Sequence, residues 1–202
     1  MRKLIVGAMT SIDGVMQGPG GPDEDLSDGF AYGGWVAPHF DETGGAWLDD
    51  VFKAPFDLLL GRTTYEIFAG YWPKHEDTDI GKRFGEVNKY VVTHEAGYSS
   101  DWQNTHVVSG DAVAGINALK AGDGPPLLTQ GSTVLLKTLF AHDLVDELFT
   151  LTFPVMLGKG KRLFNEDATA GGWTLTACES SPSGVVMNRY VRDGAVKTGS
   201  FD

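Results

Sequence analysis

Two stretches of this chain repeat one design: a short apolar run ends in glycine and small hydroxyl residues and passes straight into a helical pattern. In the first, Leu58, Leu59 and Leu60 follow Pro55 and read as a strand covered on both faces, with Gly61 permitting a tight exit. Thr63 and Glu66 then fit a capping box, S/T-x-x-E, worth about 1 kcal/mol at the first turn. In the second, Pro125 and Pro126 precede Leu127 to Gln130. Gly131, Ser132 and Thr133 then open a helix carrying Val134, Leu135, Leu139 and Phe140 at helical spacing. Strands alternating with helices in this way imply a parallel sheet with helices on both faces, an α/β fold of three layers.

The turns also bear on function. A helix opening at Gly61, Arg62 and Thr63 aims free backbone N–H groups, its positive dipole end and a guanidinium at one spot, where phosphate binds readily. An ordinary strand-to-helix turn with a surface arginine accounts equally well for that unit alone. The second unit shifts the balance, because Gly131 lets a ligand approach the backbone closely. Ligands of open α/β sheets collect at the carboxyl ends of strands. Two such edges suit one extended ligand with several phosphates, such as a dinucleotide.

The remaining elements fit this frame. Strands are expected near 3–10, 56–60, 88–93, 105–108, 126–130, 145–153, 173–179 and 185–193, and helices near 44–54, 62–70, 111–121 and 132–141. The last two strands follow one another without a helix and should add as an antiparallel edge. Asp111 is a candidate N-cap, with Val113, Ile116, Ala118 and Leu119 on the buried side of its helix. No linker divides the 202 residues, so residues 1–202 read as a single domain. The segment from Gly14 to Gly45 stands apart, with nine of the 27 glycines and no regular periodicity. Its Phe30, Tyr32, Trp35 and Phe40 suit either a lid over a planar ligand or a loop packed on the domain or a second subunit.

Composition excludes several classes. A formal charge of −11 argues against sequence-independent nucleic-acid binding. The single cysteine, Cys178, rules out a disulfide framework and a Cys-rich metal site. The five histidines show no H-x-x-x-H spacing, so no metal site is expected. Ser11 and Ser132 lack a G-x-S-x-G elbow for serine hydrolysis. No run is long enough to span a membrane, and the six apolar residues Leu4 to Met9 read as a first strand rather than a signal peptide. The expectation is a cytoplasmic protein with no membrane partner.

Taken together, several motifs resemble the dihydrofolate reductase-like superfamily, most closely the stand-alone relatives of the riboflavin-biosynthesis reductase domain. They are Ser11-Ile12-Asp13-Gly14 after the opening strand, Leu60 to Glu66 with Trp72, Gln130-Gly131-Ser132, and Leu144 to Leu148 running on to Pro154 to Phe164. The likeness extends from Leu4 to about Val191. It implies a mostly parallel central sheet with an antiparallel C-terminal edge, and NADPH lying across the strand ends. Gly61, Arg62 and Thr63 would hold phosphates at one helix mouth, and Gly131, Ser132 and Thr133 the pyrophosphate at the other. Thr93 and His94 would lie near the adenosine 2′-phosphate, and Met9 with Thr10 and Ser11 near the nicotinamide. The resemblance further implies a small-molecule substrate met by Trp35 and Gln130, with the loop after Asp13 closing over it, and a homodimer. The chain itself lacks G-x-G-x-x-G and the acidic ribose ligand of NAD-type folds, which favours NADPH over NADH.

Reduction of a C=N or C=O group needs a proton donor or a positioned water as well as hydride. The candidate acids are Asp13, Asp41, Asp49, Asp50 and Glu66, with Asp13 the one placed in the catalytic role. Asp13-Gly14 is also a common turn pair, and the capping box already accounts for Glu66. The first-helix carboxylate with which folate reductases grip a pterin has no assignable counterpart. Gln130 stands where the riboflavin-type pattern tends to carry an acid, and no His/Cys/Cys set for a zinc deaminase is present. The expected function is therefore NADPH-dependent reduction of a small planar or heterocyclic substrate. The alternatives are a non-catalytic nucleotide-binding protein of the same fold and the riboflavin-pathway 5-amino-6-(5-phosphoribosylamino)uracil reductase.

Overall fold

The computed structural model describes residues 1–201. Its strands are β1 (Leu4–Ser11), β2 (Asp57–Gly61), β3 (Lys89–Thr93), β4 (Thr105–Ser109), β5 (Leu127–Gln130), β6 (Glu147–Phe153), β7 (Trp173–Ser180) and β8 (Val186–Arg192). Its α-helices are α1 (Glu42–Lys53), α2 (Arg62–Tyr71), α3 (Asp79–Glu86), α4 (Ala112–Ala121) and α5 (Thr133–Ala141). The strands form one sheet in the order β4-β3-β2-β5-β1-β6-β8-β7. All pairings from β4 across to β6 are parallel. β8 then pairs antiparallel with both β6 and β7, giving the expected antiparallel edge.

Alternation along the strands builds a core on each face of the sheet. Leu58 and Leu60 of β2 point to one side, packing with Trp47, Leu48 and Phe52 of α1, Tyr65 of α2 and Phe84 of α3. Leu59 points to the other, with Leu4, Val6 and Ala8 of β1, Ile116 of α4, and Leu135, Leu136, Leu139 and Phe140 of α5. Gly7 of β1 lies under the Phe149 ring, where a Cβ would come within 2.2 Å of a ring carbon. At the amino ends of the strands, Arg2 makes a buried ion pair with Asp57 and donates from Nε to the Pro125 carbonyl at 2.6 Å. That pair ties the start of β1 to the entries of β2 and β5, at the opposite end of the strands from the turns that matter for binding.

Several local expectations are corrected. The capping box of α2 does not form: Gly61 is the N-cap, no side chain caps the helix, and Glu66 turns to Arg62 instead. The Thr64 hydroxyl is engaged across the turn by the backbone of Ser132. Val134 is 76% exposed, because Leu136 takes the inward position expected of it. Ala118 of α4 is also exposed, whereas Asp111 caps that helix as expected, accepting from the N–H groups of Val113 and Ala114. Helix α3 was not expected. It spans only eight residues, two of them glycine, and its apolar anchors reduce to Ile80 and Phe84. Its one local signal is Thr78, whose hydroxyl accepts from the Gly81 N–H at 3.1 Å.

The long loop packs down on the domain. Phe30 and Trp35 are buried, and Trp35 donates from Nε1 to the Gln17 carbonyl at 2.8 Å and meets Phe153 edge-on. Tyr32 and Phe40 stay largely exposed. Among the described residues no helix is long and apolar enough to cross a membrane.

Candidate functional site

The carboxyl ends of β3, β2, β5 and β1, neighbours in that order, open onto one cleft of about 540 Å³. Its wall begins at Thr93, His94 and Glu95 after β3, and continues through Gly61 to Thr64 after β2 and Gln130 to Thr133 after β5. It reaches Met9 of β1 and closes with Met16 to Gly20, Glu24, Asp25 and Lys161. Both repeated units therefore deliver their turns to the same place, as parallel strands with right-handed crossovers require.

The two helix mouths are joined to each other. Gly61 N–H donates to Ser132 Oγ at 3.0 Å, and Ser132 N–H donates to Thr64 Oγ1 at 2.9 Å. Ser132 holds a left-handed backbone (φ 57°) to make both contacts. Its hydroxyl is thereby diverted from capping α5, and neither α2 nor α5 has a side-chain cap at its N-terminus. Two positive helix ends thus open into the cleft with no acid in the first turn of either. Gly131, at φ +69°, would place a Cβ 3.2 Å from the Thr64 methyl carbon, so the tight turn between them admits only glycine comfortably. These features fit the diphosphate of a dinucleotide, an anion with several acceptor oxygens.

Arg62 stands at the rim, 3.4 Å from Glu66 and 3.2 Å from Glu95. Both partners are about half exposed, so the guanidinium is loosely held and available to a stronger anion. Thr93 is buried, and its hydroxyl accepts from the Glu95 N–H at 3.1 Å.

Ten of the residues singled out from sequence line this cleft: Met9, Gly61, Arg62, Thr63, Thr93, His94, Gln130, Gly131, Ser132 and Thr133. Two do not. Trp35 lies in the core beneath the loop. Asp13 sits outside the wall, where its carboxylate accepts from Ser11 Oγ at 2.6 Å, Leu157 N–H at 3.1 Å and Gly158 N–H at 2.9 Å, and pairs with Arg162 at 3.3 Å. The Ser11 hydroxyl, with help from those backbone donors, holds its pKa down at about 2. An acid so firmly ionised serves as the clasp of the 154–162 segment and is poorly suited to give up a proton.

The other acids considered also fall elsewhere. Asp41 caps α1 through Gly44 N–H and accepts from Ser183 N–H, and Asp50 faces Arg189 at 3.5 Å. Asp49 is exposed on α1. Asp50 lines a second, more open groove between α1 and β7–β8, whose acids Glu42, Asp50 and Glu179 suit an anion poorly. The acids that do line the main cleft are Glu24, Asp25 and Glu95. None was legible from spacing, and the one hint is the dense acidic run Asp23-Glu24-Asp25 directly after a Gly-Pro turn. Lys161 also lines the cleft, with Nζ 2.6 Å from Asp25.

Comparison with known proteins identifies the family and the fold. A family model described as the RibD C-terminal domain matches residues 2–187. The uncharacterized protein YyaP of Bacillus subtilis (strain 168) is 25% identical over 198 residues, covering 96% of each chain. Among solved structures, a putative riboflavin biosynthesis protein from Shewanella sp. PV-4 superposes with TM-score 0.64 at 21% identity, over 95% of this chain and 99% of that one. A pyrimidine reductase-like protein from Corynebacterium diphtheriae gives 0.60 at 15% identity, over 95% and 92%. Dihydrofolate reductase from Enterococcus faecalis, in complex with NADP(H), also gives 0.60 at 15% identity, over 95% and 96%. At these identities the structural matches establish a shared dihydrofolate reductase-like fold.

Proposed function

The chain belongs to the RibD C-terminal domain family, and on that premise we propose that it is an NADPH-dependent reductase of a small planar or heterocyclic substrate. The family and fold point to a reductase, and one observation supports the cofactor most directly. The uncapped mouths of α2 and α5, joined through Gly61 and Ser132, open into a single cleft along the strand ends. The backbone at Gly131, Ser132 and Thr133 would hold the pyrophosphate. Arg62 and His94, with the Thr93 hydroxyl, would meet the 2′-phosphate, and Met9 would lie against the nicotinamide. Bound NADPH supplies hydride; the protein supplies position and exclusion of water. Gln130 lines the wall beside Gly131 and would meet the substrate.

A titration following quenching of the five tryptophans tests the reading. NADPH should bind about tenfold or more tightly than NADH, since one charge-assisted phosphate contact contributes roughly 1.5–3 kcal/mol. Failure of both to bind overturns it. Turnover of 5-amino-6-(5-phosphoribosylamino)uracil in the same samples would identify the riboflavin-pathway substrate.

A further inference from the structure

We propose that Glu24 supplies the proton that completes the reduction, to an acceptor ring presenting C=N or C=O to it. This rests on the reductase reading above. Glu24 is half-buried on the wall of the cleft, in the loop that follows β1, the strand beside β5 and two strands from β2 and Arg62. The loop that carries it is firmly seated. Gly34 N–H donates to the Gly18 carbonyl at 2.8 Å, and the Gly21 and Pro22 carbonyls lie so close to Gly33 that a Cβ there would come within 2.5 Å of one of them. Gln17 donates from Nε2 to the Asp25 and Ser27 carbonyls and accepts the Lys161 N–H at 3.0 Å, fixing the same segment from beneath.

Adjacent carboxyls in this loop have opposite environments. Asp25 is partly buried, but the Lys161 ammonium and the Ser27 hydroxyl and N–H hold its carboxyl below the ordinary range. Burial lifts the Glu24 carboxyl above its ordinary value, the Asp25 charge adding to the rise, against hydrogen bonds from the Gly20 and Gly21 backbone. Two acids pushed apart in this way mark one as the ionised partner and the other as the proton carrier. The other titratable or charged groups on the wall are Lys161, engaged by Asp25, Arg62 after β2, and His94 and Glu95 after β3.

The step balances. The acceptor double bond takes hydride at carbon, while its π pair forms the new N–H or O–H bond with the proton of Glu24. The cofactor is left oxidised, and the Glu24 carboxylate recovers a proton from water at the open side of the cleft.

Protein labelled with 13C at the glutamate carboxyls tests this directly, by pH titration with and without saturating NADPH. Glu24→Gln assigns the resonance and keeps an oxygen to accept the Gly20 N–H, so that variant should fold, as a thermal melt will verify. Glu24 should titrate above the chain's other glutamates, and higher still with NADPH bound, as the nicotinamide strips water from it. An ordinary titration, or one indifferent to bound NADPH, overturns the proposal. Tryptophan quenching in the same samples separates this from failure of the reductase reading, in which no NADPH binds and the proposal falls with it. An acceptor found among cyclic imines and ketones should be reduced about 10²- to 10⁴-fold more slowly by Glu24→Gln, although that variant binds NADPH at least as tightly, since its amide is neutral like the protonated acid. Equal turnover overturns the assignment.

Discussion

The hydroxyl of Ser132 accepts the N–H of Gly61 at 3.0 Å, joining two helix mouths that lie 71 residues apart in the chain. The bond fixes the spacing between the two helix mouths proposed to hold the phosphates. Ser132→Ala should leave the Gly61 N–H unpartnered, lowering stability by about 1 kcal/mol and weakening NADPH about fivefold. A thermal melt and a fluorescence titration of the same variant measure both effects.

Arg62 meets two carboxylates, and they should respond in opposite ways. Arg62→Ala should weaken NADPH about 10- to 100-fold and leave NADH nearly unaffected. Glu95→Gln releases the guanidinium from a competing anion at 3.2 Å and should tighten NADPH about two- to fivefold. Parallel titrations with the two cofactors test the pair, and equal responses to both cofactors would contradict the placing of the 2′-phosphate at Arg62.

Asp13 should matter for stability, with a defined pH window. Its folded pKa, about 2, lies below the ordinary carboxylate value of 3.8. The ionised form is therefore favoured by folding, and its contribution is full above about pH 4 and lost as pH falls towards 2. Asp13→Asn should lower the melting temperature by a few degrees at pH 7. That difference should shrink as melts are repeated between pH 4 and pH 2, and a constant difference would remove the clasp role.

Lys89 is fully buried and donates to three carbonyls that close α3 and the turn beyond it, Phe84 at 2.7 Å, Gly85 at 3.1 Å and Val87 at 2.8 Å. Its ammonium also lies 4.5 Å from the centre of the Trp102 ring. Lys89→Met keeps the bulk and strands the carbonyls, so it should cost about 3 kcal/mol in a urea unfolding experiment. NADPH affinity of the folded fraction should not change.

The parts of this molecule that could be read from sequence are those in which local pattern and global packing agree. The run Leu58 to Leu60 is apolar on both sides because the strand has helices on both sides, and Gly131 stands where the turn needs a positive φ. The failures come where a distant partner decides. Thr63 and Glu66 have the spacing of a capping box, yet Arg62 offers Glu66 a charged partner, and Gly61 reaches across to Ser132. Asp13 looked like an acid near the reacting end; the Ser11 hydroxyl does most to keep it ionised, and N–H groups of Leu157 and Gly158, over 140 residues away, commit it to the clasp. Glu24 was invisible for the same reason. It sits in a loop without periodicity, whose course is set by contacts with Gly33, Gly34 and the 161–162 segment.

The glycine-rich loop also separates two problems that many binding sites must solve together. The phosphate end is shaped by main-chain turns between strand and helix, where almost any substitution disturbs the scaffold. The opposite wall is formed by Met16 to Gly20, Glu24 and Asp25 on a segment outside the sheet, pinned at Gly33, Gly34 and Lys161. Gln17, Gly18 and Asp25 belong to those pins, whereas the exposed positions between them, Gly20, Pro22 and Asp23, can vary with little loss of the frame. A chain organised this way can change what it acts on while keeping the coenzyme it acts with. Libraries confined to residues 19–23, which leave Gln17, Glu24 and Asp25 in place, are the natural place to look for altered selectivity.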